Sequence, residues 1–159
     1  MEIGIGVALA VIGAGLAMGV AAISSGFGVG LAGIAGAGVV AEDPKKFGQM
    51  LVLQALPQTQ GIYGFLCAVL ILIGCGLLGG EKIELPKETG YAALAGGICV
   101  ALSSLTSIAQ GAISAAAMGA VAKRPETFGQ GVVFSAMAET FAIFGLLVAI
   151  LIFTGTKIM

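Results

Sequence analysis

Apolar residues run in four long stretches, and the polar positions fall almost entirely between them. The stretches are 3–41, 47–80, 89–122 and 127–156, separated by EDPKK, EKIELPKE and KRPE. Each exceeds the roughly 20 apolar residues that a helix needs to cross a bilayer. At ~1.5 Å per residue they predict helices of roughly 45–58 Å. That is longer than the ~30 Å hydrocarbon core, so several should project beyond it. The expected fold is all-α and integral to the membrane. Four transmembrane helices form two tandem hairpins, 1–80 and 81–159, in one membrane domain. The opening MEIGIGVALAV lacks a basic n-region and reads as a retained helix rather than a signal peptide.

Composition sharpens this picture. Of 159 residues, 58% are hydrophobic and 9% are charged, against about 25% charged in a soluble domain. No basic patch or aromatic platform for nucleic acid is present. Histidine is absent and there is no Cys-x-x-Cys, which argues against a transition-metal site. Cys67, Cys75 and Cys99 lie inside apolar stretches and read as small buried residues. No Gly-x-x-x-x-Gly-Lys motif occurs, so nucleotide chemistry and organic cofactors are not expected. Lys45, Lys46, Lys123 and Arg124 sit in the two short loops, against Lys82, Lys87 and Lys157 on the other side. The positive-inside rule then places loops 42–46 and 123–126 in the cytoplasm and both termini opposite.

The helices differ in kind. The first is crowded with glycine, with Gly15 and Gly19, and Ala22, Gly26 and Gly30, at four-residue spacing. The third repeats the theme with Ala93, Gly97 and Ala101, then Gly111, Ala115 and Gly119. Small residues so spaced let helix backbones approach closely in lipid. The first and third helices are expected in a crowded position, as on the inside of a ring. The second and fourth, richer in Leu, Ile and Phe, are expected to face lipid.

The chain is also an internal repeat. An offset of 81 residues lays Pro44 on Pro125, Phe47-Gly48-Gln49 on Phe128-Gly129-Gln130, and Gly64 on Gly145. Both copies cross the membrane in the same direction. The mismatch that matters falls at the centre, where Glu139 lies on Gln58. Glu139 is the one ionisable side chain in the middle of a span. A carboxylate at that depth costs at least ~2.5–3.5 kcal/mol, which makes it a functional-site residue by default.

The second helix brings LPQTQGIY to the same depth. Leu56, Thr59, Gln60 and Tyr63 share one helical face, and Gln58 lies off it. Gln110 adds an amide from the third helix. Pro57 lacks an N–H and perturbs the helix, loosening the carbonyl of Leu53. As interhelical hydrogen-bond glue each of these groups is worth only ~0.6–2 kcal/mol. Together, a carboxylate, a hydroxyl, two amides and a carbonyl make an all-oxygen cage for a hard cation. A proton needs only the carboxyl group and one acceptor, so the surplus of oxygens favours Na+ over H+.

Over EDPKKFGQ, LPQTQGIYGF, IAQG, KRPETFGQ and MAETFAIFG the chain resembles the duplicated four-helix proteolipid, the c or K subunit, of V-type rotary ATPases. It is nearest the bacterial sodium-pumping type. The resemblance covers nearly the whole chain. It implies that Glu139 binds the ion, with Thr59, Gln60, Gln110 and the backbone carbonyl of Leu56 as further ligands. It implies that Tyr63 hydrogen-bonds the glutamate. It also implies a lipid-embedded homo-oligomeric rotor ring in a bacterial plasma membrane, a stator subunit that supplies an arginine, and a central stalk on the cytoplasmic side. ATP hydrolysis is then the work of other subunits. Rival readings are a proton-carrying rotor, a small four-helix secondary transporter, and a structural pore or junction protein. The last leaves the oxygen cage unexplained.

Overall fold

The structure is a computed structural model that describes residues 4–78 and 84–158. Four membrane-length spans build it, at Ile5–Glu42, Pro44–Gly74, Lys87–Lys123 and Pro125–Gly155. The first is one unbroken helix, α1 (Ile5–Glu42). The second contains α2 (Phe47–Ala55) and α3 (Thr59–Gly74), joined by a 3-10 turn at Leu56–Gln58. The third contains α4 (Lys87–Ser103) and α5 (Thr106–Lys123). The fourth is α6 (Phe128–Gly155), again unbroken. No strand occurs among the described residues.

The hairpin loops owe their shape to their prolines. Asp43 and Arg124 each precede a proline and are extended, both with φ −140°, because proline clashes with a helical conformation at the residue before it. Pro44 and Pro125 then open 3-10 turns, where a missing N–H costs nothing. Lys46 Nζ donates to the carbonyl of Ala122 at 2.7 Å and lies 3.7 Å from Asp43. That ties the two loops together and sets a cation at the carbonyl end of α5, where the helix dipole favours it.

The second span is shorter than its apolar run. The helix ends at Gly74 rather than reaching residue 80. Gly76 adopts φ 66°, and the N–H groups of Gly76 and Leu77 close back on Ile73 and Leu72, each at 2.8 Å. This is the glycine-terminated closure of a helix C-terminus. Residues 79–80, within the expected second span, and residue 3, the expected start of the first, lie outside the described residues. The fourth span closes in the same way, with Lys157 at φ 56° on the repeat equivalent of Gly76.

The two hairpins are interleaved. α1 packs against α3, α4 and α5, and more extensively on the third span than on its own hairpin partner. A Cβ on Gly13 or Gly28 of α1, or on Gly97 or Gly111 opposite, would fall within 3.0 Å of the facing backbone. The expected close approach is therefore present, with Ala93, Gly97, Ala101 and Gly111 buried in it, whereas Ala115 of the expected stripe is half-buried and Gly119 is exposed. The glycines of α1 that make it are a different set from the expected stripe. Gly15, Gly19, Ala22, Gly26 and Gly30 are exposed, and nothing lies within 4 Å of a Cβ placed on the four glycines among them. Glycine thus covers two faces of α1, one turned inward and one turned out.

Candidate functional site at mid-membrane

Two helix breaks stand against each other at the middle of the bundle. In the second span Pro57 forces the 3-10 turn, and Thr59 closes it with both its N–H and its hydroxyl on the carbonyl of Leu56, the hydroxyl at 2.9 Å. The expected distortion is present, and the carbonyl it engages is that of Leu56. In the third span the sequence SSLTS loosens the helix between Ser103 and Thr106. Ser103 and Ser104 turn their hydroxyls back on the carbonyl of Val100, at 3.2 and 2.7 Å. Serine competing in this way for backbone groups bends helices. The following N–H groups of Leu105, Ser107 and Ile108 bond three residues back rather than four.

Neither break has a counterpart in the other repeat. Ala138 stands at the repeat position of Pro57, and Ala22-Ile23 at that of Ser103-Ser104. Accordingly α6 and α1 run straight through. Two nearly equal hairpins thus acquire one asymmetric centre.

The breaks position the polar side chains. Thr59 Oγ1 donates to Gln60 Oε1 at 3.1 Å, and Gln60 Nε2 donates to Gln110 Oε1 at 2.6 Å. With the Thr59–Leu56 bond this makes one connected series through Leu56, Thr59, Gln60 and Gln110. Gln60 and Gln110 are fully buried. Gln110 Nε2 has no hydrogen-bond partner among the described residues. Tyr63, one turn beyond Thr59 on α3, donates its hydroxyl to Glu139 Oε1 at 2.5 Å. Glu139 itself is half-buried on α6, between exposed Met137 and Phe141. Thr59 and Tyr63 are also half-buried. The cluster therefore has a deep wall of amides and an outer edge of phenol and carboxylate that opens toward the side of the molecule. Gln58 is exposed and outside the series.

All six oxygen-bearing residues singled out in the sequence lie in these two connected groups, and Pro57 makes the turn that presents them. The structure adds Ser24, Ser104 and Ser107, which the sequence reading passed over. Ser24 Oγ donates to the carbonyl of Ser104 at 2.9 Å, and Ser107 Oγ to that of Pro57. The signal of Ser104 and Ser107 was the density of hydroxyls in SSLTS at mid-span, and that of Ser24 the Ser24-Ser25 pair of α1, both easily read as runs of small residues.

Fold and cluster together define a class, the duplicated-hairpin membrane protein with one mid-span carboxylate among neutral oxygen donors. The chain belongs to the ATP synthase C-subunit family, whose model matches it twice, over residues 12–71 and 94–152. It is 48% identical over 147 residues to the A-type ATP synthase subunit K of Methanocaldococcus jannaschii, covering 92% of this chain and 62% of that protein. The chain thus spans less than two thirds of that relative's length. It is 40% identical over 121 residues to the V-type sodium ATPase subunit K of Enterococcus hirae, covering 76% of this chain and 74% of the relative.

Proposed function

We propose that this chain is the ion-carrying rotor subunit of a rotary ATPase membrane sector, and that Na+ is its cargo. Glu139 binds the ion, with Thr59, Gln60, Gln110 and the carbonyl of Leu56 completing the oxygen shell and Tyr63 holding the carboxylate in place. The observation that carries this reading is the hydrogen-bonded series of neutral oxygen donors through Leu56, Thr59, Gln60 and Gln110, one helical turn from the Tyr63 that donates to the one mid-span carboxylate. A hard cation uses every one of those oxygens. The sodium ATPase named for one relative supports the choice of ion.

In this reading many copies form a ring. Each Glu139 loads at one half-channel of a stator subunit and, after rotation, unloads at another. The chain's single arginine, Arg124, is in a loop, so the charge that displaces the ion is supplied by the stator. The subunit is non-catalytic, and ATP chemistry belongs to other subunits. The loops at 42–46 and 123–126 face the cytoplasm and the central stalk, with the termini opposite. In this reading the membrane is a bacterial plasma membrane.

The test is carbodiimide labelling of Glu139, since a carbodiimide attacks a protonated carboxyl group and not an ionised one. Na+ should protect against labelling, K+ should not, and protection should weaken as pH falls because protons compete for the same oxygens. A labelling rate indifferent to Na+ would favour the second reading, a proton-carrying rotor. Purification as a small dimer instead of a ring-sized oligomer would favour a secondary transporter.

A further inference from the structure

We propose that Ser107 is a positioning residue for the cation site, one that sets its size by joining the two helix breaks. This rests on the Na+ reading above. Ser107 is fully buried, and its Oγ lies 2.5 Å from the carbonyl of Pro57. Both ends of that bond sit at a break. Pro57 is the centre of the 3-10 turn that precedes Thr59 and Gln60. Ser107 is the second residue of α5, and its own N–H bonds the carbonyl of Ser104 across the break. Gln60 lies three residues beyond Pro57, and Gln110 three residues beyond Ser107. The Ser107–Pro57 bond therefore fixes the axial register of the two segments whose next turns carry the paired amides.

The surroundings are shaped for this junction. A Cβ on Gly28 of α1 would meet the backbone and hydroxyl of Ser107 and the ring of Pro57 together, all within 3.0 Å. Only a glycine there lets the two breaks touch. On the other side of the third-span break, Ser24 of α1 donates to the carbonyl of Ser104, so the break is held from both sides. Because the Gln60–Gln110 bond is short and fully buried, a change of register alters the spacing of the amide oxygens before it alters anything at the surface. Ser107 touches no ion and acts through the two glutamines.

The experiment is Na+ and Li+ protection of Glu139 from carbodiimide in the purified full-length protein. Ser107→Ala should raise the Na+ concentration for half-protection by about ten-fold, the lower end of what loss of an outer-shell partner costs a metal site. It should also change the Na+ to Li+ ratio, because the spacing of the oxygens selects by ion size, while Na+-free labelling continues. Ser107→Cys, which leaves a weaker and bulkier donor at the same position, should also shift the ratio. Ser114→Ala removes an equally buried hydroxyl that pairs with Ser135 at 2.7 Å and joins no break. It should keep the wild-type ratio. If the wild type ignores Na+, the functional reading itself has failed. If the wild type is protected by Na+ but Ser107→Ala and Ser107→Cys keep its Na+ to Li+ ratio, or Ser114→Ala shifts it equally, the positioning role is wrong.

Discussion

Gln58 and Gln60 are two residues apart and face different surroundings. Gln60 is fully buried on Gln110, whereas Gln58 is exposed. In the repeat it is Gln58, not Gln60, that aligns with Glu139, so equivalence by repeat and participation in the site come apart here. Gln58→Ala should leave Na+ half-protection of Glu139 within a few-fold of wild type. Tyr63→Phe removes the hydroxyl that donates to the carboxylate. A hydrogen bond to a charged group contributes ~1.5–3 kcal/mol. The phenylalanine variant should therefore need at least about ten times more Na+ for half-protection. Carbodiimide titration of the two variants side by side checks both statements. An effect of Gln58→Ala as large as that of Tyr63→Phe would mean that the ligand face has been misassigned.

At the scale of elements, the site depends on a 3-10 turn inserted into a membrane helix. Three residues at ~120° and ~2.0 Å each, in place of ~100° and ~1.5 Å, rotate the downstream helix by about 60° and advance it by about 1.5 Å. Thr59, Gln60 and Tyr63 all lie downstream of this offset, whereas Glu139 sits on the uninterrupted α6. Pro57→Ala should let α2 and α3 merge into one helix. Proline within a helix costs ~3 kcal/mol, so the variant should unfold in detergent at the same temperature as wild type or higher. It should nevertheless lose Na+ protection by about ten-fold or more, since misplacement by ~1 Å is already costly in a built site. A variant that keeps wild-type Na+ protection would show that the turn does not present the ligands.

For the whole molecule the two glycine faces of α1 make a sharp distinction. Gly28 is locked against the third span, so a side chain there damages the fold of the single chain. Gly26 and Gly30 meet nothing within 4 Å. They alternate with exposed Ile23, Phe27 and Ile34 on the outer side of α1. A closely packed neighbouring copy would explain small residues kept between the large ones on this outward face, because small residues are what permit close backbone approach in lipid. Gly26→Leu and Gly30→Leu should therefore leave the helical fold intact by circular dichroism and prevent assembly of the ring, read as the mass of the detergent-solubilised complex. Normal assembly of both variants would remove this face from the interface.

The number of spans, their approximate limits, the repeat and the polar residues that cluster at mid-span were all legible in the sequence. These depend on local quantities: apolar run length, a proline at a loop, and a carboxylate too costly to leave unpaired in hydrocarbon. Even the face shared by Thr59, Gln60 and Tyr63 comes from 3.6-residue geometry along one helix. Three things were decided only by tertiary structure. One is which of α1's glycines touch the third span, since two small-residue stripes on one helix are equivalent until a partner occupies one of them. Another is the end of the second span at Gly74, where a glycine in the left-handed region closes the helix inside a run that is still apolar. The last is the pairing of the two breaks through Ser107 and Pro57. That bond joins residues 50 apart in the chain, and no periodicity along either helix specifies the depth at which they meet.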